Sequence, residues 1–540
     1  MNCGYLVVNN VKLPIDASFE EAFTVAKAIL RRASVSCQDV KFSIYRRSID
    51  ARNKDEIYFV YSVAAYGDFS KINRDRLSSF GISFVEECKD IFPPEGKEKL
   101  TSPPLIVGAG PCGLFCALIL AERGYKPIVI ERGGDVKERE AAINRLAKER
   151  ILDTDTNIQF GAGGAGTFSD GKLVTRINDP LTSLVLDRFV EMGADPSIKY
   201  IAKPHIGTDR LSLIVEKMVK RIEELSGKVL YHTRFLSSIT EGSEVIGVKT
   251  IKGDIACGAL VLAVGHSARD TYKTLIESQF DIEAKNFSVG MRIEHKREDI
   301  DRALYGRFAG DVRLGAAEYN LSADTKTRGV YTFCMCPGGV VVPAASEEGG
   351  LVVNGMSYSD RSGKNSNSAV VCSVFREDYG LTPTSAIEFQ RKIERDAFMS
   401  GGGNYSAPAI TVGDFLSDVI KTEPKEILPT YMDGGVRLAR PEEYLPSFVT
   451  DGIKKAIVAF GKKIRGFDAP GALLTGAETR TSAPIRIIRD PSLRTATGYK
   501  NIYPCGEGAG YAGGITSASV DGIRTALSII SLYRSDNSNG

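Results

Sequence analysis

A chain of 540 residues is longer than one hydrophobic core usually organises, so two or three domains are expected, and 43% apolar with 25% charged residues exclude a disordered chain. Lys and Arg (69) nearly cancel Asp and Glu (67), and the resulting +2 excludes the strong basic field that draws proteins onto nucleic acid or anionic membranes. No apolar run approaches the roughly 18 residues of a membrane span, the start MNCGYLVVNNVKLP has no basic-then-apolar leader, and ten irregularly spaced cysteines argue for reduced thiols, so a cytoplasmic protein is expected.

Residues 1–100 show a strand at Tyr5 to Val8, a helical stretch at Ser18 to Ala33, and strands around Val40 to Tyr45 and Ile57 to Ala65. This predicts a small α+β domain, ferredoxin-like in outline. Its 15 Lys+Arg against 14 Asp+Glu give +1 and no basic stripe, so it is not expected to bind nucleic acid. GKEKLTSPPL reads as a linker, with a boundary near Pro103.

From residue 104 the pattern changes to strand (Leu105 to Val107), helix (Gly113 to Arg123, closed by Gly124) and strand (Pro127 to Ile130), a βαβ unit that implies a parallel sheet. Its turn, VGAGPCG, places Gly108, Gly110 and Gly113 around Ala109, Pro111 and Cys112. In that spacing the first glycine permits the tight turn, the second lets backbone approach a diphosphate, and the third packs helix on sheet. Phosphate then meets the helix N-terminus. Glu131, near the ~20-residue offset of the dinucleotide fingerprint, is placed to accept ribose hydroxyls, with Arg132 beside it.

The loop FGAGGAGTFSDGKL (Phe160 to Leu173) is glycine-rich enough for backbone N–H groups to approach a ligand. Gly163, Gly164, Ser169, Gly171 and Lys172 are its candidate contacts. The composition also suits a surface loop. An amphipathic helix (Asp209 to Leu225) then leads into the strand KVLYH, and GALVLAVG is a further buried strand. Residues 104–274 form the first part of a nucleotide-binding domain, 275–475 an inserted β-rich substrate or cap domain containing a hairpin with EEGG at its tip, and 476–534 the second part.

Three segments resemble the flavoprotein superfamily of glutathione reductase and p-hydroxybenzoate hydroxylase: VGAGPCG with Glu131, LVLAVGHSA (Leu260 to Ala268) and NIYPCGEGAGYAGGI (Asn501 to Ile515). The last has Gly506-Glu507 where the superfamily has Gly-Asp. GHSARDTY, FCMCPGG and CGEGAGYAGG make the chain most similar to uncharacterised bacterial FAD-dependent dehydrogenases, over nearly its full length. The resemblance implies an α/β fold with a discontinuous, Rossmann-like FAD-binding domain, an inserted β-rich domain and the N-terminal α+β domain. It implies FAD as cofactor, with Gly108 to Gly113 on the diphosphate and Glu131 on the AMP ribose. Backbone at Phe235 would meet adenine, Val264, Gly265, Gly506 and Glu507 would line the site, the Phe160 loop would pass the flavin, and Gly513, Gly514 and Ile515 would turn amides to its pyrimidine edge.

Five residues are candidates for chemistry. His266 follows a strand at the carboxyl edge where such sheets place ligands. Cys334 and Cys336 alternate along a strand and so are expected on one side, either as a redox pair or as buried core thiols. Arg292 and Arg480 are candidates for an acidic substrate or a reduced flavin. The four histidines lack zinc-ligand spacing, and no metal is expected. Only one complete dinucleotide fingerprint is present, so NAD(P)H, as a transient reductant, must dock without its own Rossmann domain. The expected activity is electron transfer between a small-molecule substrate or NAD(P)H and flavin. The alternative is a scaffold in which the dinucleotide is structural and residues 1–100 recruit a partner.

Overall fold

The computed structural model describes residues 4–69, 72–86, 91–175, 177–326 and 328–535. Four antiparallel strands open the chain: β1 (Gly4–Pro14), β2 (Lys41–Asp50), β3 (Tyr58–Tyr66) and β4 (Ile82–Glu86), in the order β2-β3-β1-β4. This is the ferredoxin-like strand order, with two short 3₁₀ turns at Arg74–Arg76 and Ser78–Phe80 where a second helix would run. Helix α1 (Phe19–Arg32) starts at a capping box, Ser18 with Glu21, and buries Ala22, Ala26 and Leu30, spaced four apart on one face. The unit is docked and not merely tethered. Backbone of Arg47 pairs with Tyr200 and Ala202 (2.7 and 2.9 Å), and the Phe19 and Tyr200 rings meet edge to face. Its core runs without a break into that of the inserted domain.

The parallel sheet consists of β5 (Pro104–Val107), β6 (Ile128–Ile130), β7 (Lys228–Leu230), β8 (Ala259–Leu262) and, far along the chain, β9 (Ile502–Pro504). Their order is β9-β8-β5-β6-β7, so the direction of winding reverses between β5 and β8. Register sets Val107 beside Ile130 and Leu262, and Leu262 beside Pro504, so four strands end at one level. The loops that begin at Gly108, Glu131, Ala263 and Cys505 therefore emerge together. A reversal of winding at a carboxyl edge is where open α/β sheets bind ligands. Helix α2 (Pro111–Glu122) begins two residues before the predicted start because proline is tolerated in a first turn. It is buried all round from Cys112 to Ala121, between the sheet and α4 (Ile515–Leu532).

Between these parts, residues 287–478 build a seven-stranded sheet centred on Phe287–Lys296, Asn365–Val374 and Leu473–Glu478. The expected hairpin is present, Val340–Pro343 against Val353–Met356. The β-rich expectation missed two long helices, α3 (Pro383–Ser400) and Ser447–Gly461, whose apolar faces cover that sheet. No helix among the described residues is long and apolar enough to cross a membrane.

Glu394 of α3 joins the inserted domain to the parallel sheet. Its carboxylate, 1% exposed, accepts two hydrogen bonds from Arg269, two from Arg480 and one from Thr479. The two guanidiniums hold it far below the usual carboxylate range against the opposing effect of burial. Removing one partner of a buried ion pair leaves uncompensated charge, at a cost of about 3–5 kcal/mol. Glu394→Gln should accordingly lower the urea midpoint steeply; an unchanged midpoint would show that the joint contributes nothing to stability.

Candidate functional site

Gly108 turns out of β5 with φ +106°, and a Cβ there would lie 2.4 Å from the Ala263 carbonyl; at Gly113 it would lie 1.9 Å from the Gly108 carbonyl. Neither position admits a side chain, which confirms the close packing of strand, turn and helix inferred from the spacing. Glu131, 5% exposed, then draws three loops together. Its Oε2 accepts from Ala109 N–H (2.8 Å), and its Oε1 from Gly133 and Gly161 N–H (3.0 and 2.9 Å). A carboxylate offers about four acceptor positions, so one is left for a ribose hydroxyl. The segment carrying Phe235 lies at the same end: Thr233 donates to the Glu131 carbonyl and His232 to that of Gly133. The Phe235 ring itself is buried in the core. Arg132 is occupied by Asp155 (2.9 Å) and Asp270 (2.9 and 2.7 Å), over the face of Phe160.

The loop at residues 157–171 is no surface loop. Ile158, Phe160, Ala162 and Phe168 are buried, and so is the residue that holds them, Arg139. Its guanidinium donates to the carbonyls of Asn157, Ile158 and Ala162 and lies 4.6 Å from the Phe168 ring. Burial pulls Arg139 down to about 9, with Glu131 pulling the other way. Sequence reading missed it because one arginine in a charged helix carries no signal. Gly163 N–H donates to the Ala109 carbonyl (2.8 Å), and a Cβ on Gly164 would touch Gly110. Ser169 closes the local turn, accepting from Gly171. Lys172 pairs with Glu318 and Asp170 (3.3 and 3.6 Å), and Arg361 joins both acids.

The first residues of two helices converge on this loop, for a Cβ on Gly166 would meet both Ile515 (3.0 Å) and Pro111 (3.6 Å). Neither Gly110 nor Gly514 caps its helix with a side chain, and Gly513 and Gly514 are exposed. Two uncapped N-termini beside glycine cradles, with one acidic acceptor at their edge, suit the diphosphate and ribose of a dinucleotide. Tyr272 ties the Gly265 loop to the Gly508 loop, its single O–H shared between their carbonyls at 3.0 and 2.9 Å, beside half-buried Val264. In the next loop, burial pushes Glu507 up to about 7, opposed by Lys285.

His266 stands at the end of a fixed chain. Gln159 Nε2 donates to the Ala344 carbonyl (3.3 Å), Ser267 Oγ donates to Gln159 Oε1 (3.2 Å), and Ser267 Oγ is 2.9 Å from His266 Nδ1. With the serine proton directed at Gln159, Nδ1 carries the hydrogen and Nε2 keeps its lone pair. Burial, then the charges of Arg480 and Arg269, pull the imidazole down to about 3 and keep it neutral.

Two expectations are corrected. Arg292 cannot meet a substrate directly: it is fully buried and all five of its donors are taken, by Glu478 twice, the Cys334 carbonyl, Asn367 and Asn354. Cys334 and Cys336 do not share a side. The ladder shifts register between Phe333 and Cys336, with Cys334 at φ +42°, so Cys336 is buried and Cys334 exposed. Arg480, which the sequence offered as a free cation, is paired with Glu394 and Ser346.

A family model described as FAD-dependent protein, C-terminal domain-like, matches residues 286–481, and one described as FAD binding domain matches 101–143; a domain of unknown function matches 6–66. An uncharacterized protein of Clostridium beijerinckii (strain ATCC 51743 / NCIMB 8052) is 44% identical over 532 residues, 97% of this chain and 98% of that one. The chain belongs to this family of FAD-dependent proteins. Among solved structures, L-amino acid deaminase from Proteus vulgaris (11% identity, 82% of this chain and 97% of that, TM-score 0.34) and glycine oxidase from Bacillus cereus ATCC 14579 (11%, 79% and 95%, 0.32) are similar only at a level that says nothing of the reaction.

Two outcomes test the site of this FAD-dependent protein. Arg139→Met strands three buried carbonyls and should cost about 3 kcal/mol or more, with protein recovered at a lower flavin-to-protein ratio; full flavin content would contradict the clamp. Because the folded value of Glu507 is raised, the folded state binds the extra proton, so the flavin-free protein should lose about 3 kcal/mol as pH rises from about 4.5 to about 7 and nothing further above that. Glu507→Gln should remove this slope, read from denaturation midpoints across pH.

Proposed function

We propose that the protein is a FAD-linked oxidoreductase holding a small molecule between the carboxyl edge of its parallel sheet and the inserted domain. The diphosphate would rest on Gly108, Ala109, Gly110, Pro111, Cys112 and Gly113, the ribose on the remaining acceptor of Glu131, and adenine along the backbone at Phe235. Gly163, Gly164 and Gly171 would leave room along the cofactor, Ser169 and Lys172 would hold that wall, and Val264 and Gly265 would flank it. Glu507, which burial raises to about 7, would hydrogen-bond a sugar-chain hydroxyl from Gly506-Glu507. Gly513, Gly514 and Ile515 would direct amides and the positive end of a helix dipole at the electron-rich edge of the ring. When bound, FAD supplies the two-electron transfer.

The single observation that carries the reading is the meeting of four strand ends and two uncapped helices around Glu131. His266 is assigned the proton: its Nε2 would accept a hydrogen bond from an N–H or O–H of the substrate. Arg480 and Cys334 would shape the surrounding wall, with Arg292 and Cys336 positioning the sheet behind it. Among the described residues one parallel sheet carries the glycine fingerprint, so a nicotinamide donor would enter the same space as the substrate.

The test is anaerobic titration of the purified flavoprotein with NADH, NADPH and small-molecule donors, followed by oxygen or a quinone. Bleaching of the oxidised flavin bands by one of them identifies the donor. Flavin that no donor bleaches would instead favour a scaffold whose dinucleotide is structural. His266→Phe should slow reduction by about 10²-fold without shifting the pH profile, because the wild-type ring is already neutral; a vanished step near pH 6.5 would contradict that assignment.

A further inference from the structure

Cys112, in the first turn of α2, and Cys505, the first residue after β9, are 393 positions apart in sequence, yet their sulfurs lie 3.0 Å from each other. Two features force the meeting. Helix α4 crosses α2 so closely that a Cβ on Gly522 would come 2.1 Å from the Cys112 carbonyl, and one on Gly506 would lie 2.8 Å from Cys112 Sγ. The common level of the strand ends then puts Cys505 beneath the diphosphate turn. Both side chains are buried, with Cys116 one turn further along α2. Cys505 Sγ also has Thr525 Oγ1 at 3.0 Å and Asp521 Oδ2 at 3.4 Å.

A metal is one way to use two sulfurs and a carboxylate, for the donor atoms of Cys112, Cys505 and Asp521 lie within 4.8 Å of one another. The surroundings oppose it. Asp521 already holds Arg489, Arg494 and the Gly506 N–H, which leaves positive charge where a cation would sit. Two thiolates on a tetrahedral zinc at ~2.3 Å also stand about 3.8 Å apart, farther than these sulfurs. A disulfide needs the opposite change, closure by about 1 Å.

We propose that Cys112 and Cys505 close into a reversible disulfide that fastens the diphosphate turn to the Gly506-Glu507 loop, joining the two distant parts of the nucleotide fold. The oxidant class is a peroxide. The Cys112 sulfur gives up its proton and takes one oxygen of hydrogen peroxide, releasing water and forming a sulfenic acid. Cys505 Sγ then attacks that sulfur as its proton moves toward Asp521, and the hydroxyl leaves as a second water. Two thiols and one peroxide become a disulfide and two waters: the sulfurs lose two electrons, and the O–O bond takes them. Burial raises the Cys112 thiol well above its ordinary range, so the reaction is slow, on the order of hours, and the bond is a durable fastening instead of a fast sensor. The inference rests on the fold alone and not on the reading of the substrate cleft.

The experiment uses the full-length flavoprotein, divided between dithiothreitol and millimolar hydrogen peroxide, unfolded in the presence of an alkylating reagent, digested and analysed by mass spectrometry. The expected result is a peptide pair linking Cys112 to Cys505, lighter by two hydrogens, present after peroxide and absent after reduction, with a thermal midpoint a few degrees higher in the oxidised form. Cys116→Ala should keep the link. Recovery of both residues as alkylated thiols after prolonged peroxide would overturn the proposal. So would linkage of Cys112 to Cys116, or a stoichiometric metal in the wild-type protein. The wild-type measurement stands even if a cysteine variant does not fold.

Discussion

One carboxylate organises the candidate site. Glu131 gathers amides from the glycine turn after β5, from the end of its own strand and from the glycine-rich loop that follows. Burying a carboxylate is costly unless it is hydrogen-bonded, and three N–H donors meet that need here. The arrangement thus fixes the spacing of the loops whether or not a nucleotide is present. The ribose contact suggested by the sequence would be a secondary use of a group whose first task is structural.

The same logic recurs where the inserted domain meets the sheet. Glu394 between Arg269 and Arg480, and Asp170 with Glu318 on Arg361, are buried or nearly so. Such pairs contribute little net stability over apolar packing, yet they admit few alternative geometries. They set the inserted domain at a defined distance from the strand ends, which a purely apolar contact would do less sharply. Arg480, which looks like a substrate cation in the sequence, is consumed in this task.

The parallel sheet, its glycine turn and the return of the chain to it near residue 500 were legible because each depends on local pattern: a short apolar run and glycine where no side chain fits. The four-stranded N-terminal unit was legible except for β4, whose residues alternate too weakly to stand out. The burial of residues 157–171 was not legible, because it depends on Arg139, remote in the pattern but adjacent in space. Nor was the register shift that separates Cys334 from Cys336, since a bulge leaves the alternation of residues in the sequence unchanged. Alternation predicts a side only while the ladder is regular. The neutral state of His266 likewise depends on its burial and on two arginines from other segments.

The nucleotide sheet draws its outer strand, β9, from nearly four hundred residues beyond β5. On a ribosome adding about 5–20 residues per second, the interval is on the order of half a minute. Through that interval α2 lacks the helix that covers it, and from the moment β8 is made its edge has no neighbour until β9 follows. The nascent chain must shelter those surfaces while the intervening sheet is made, so loading with the cofactor is a late event in the protein's biogenesis.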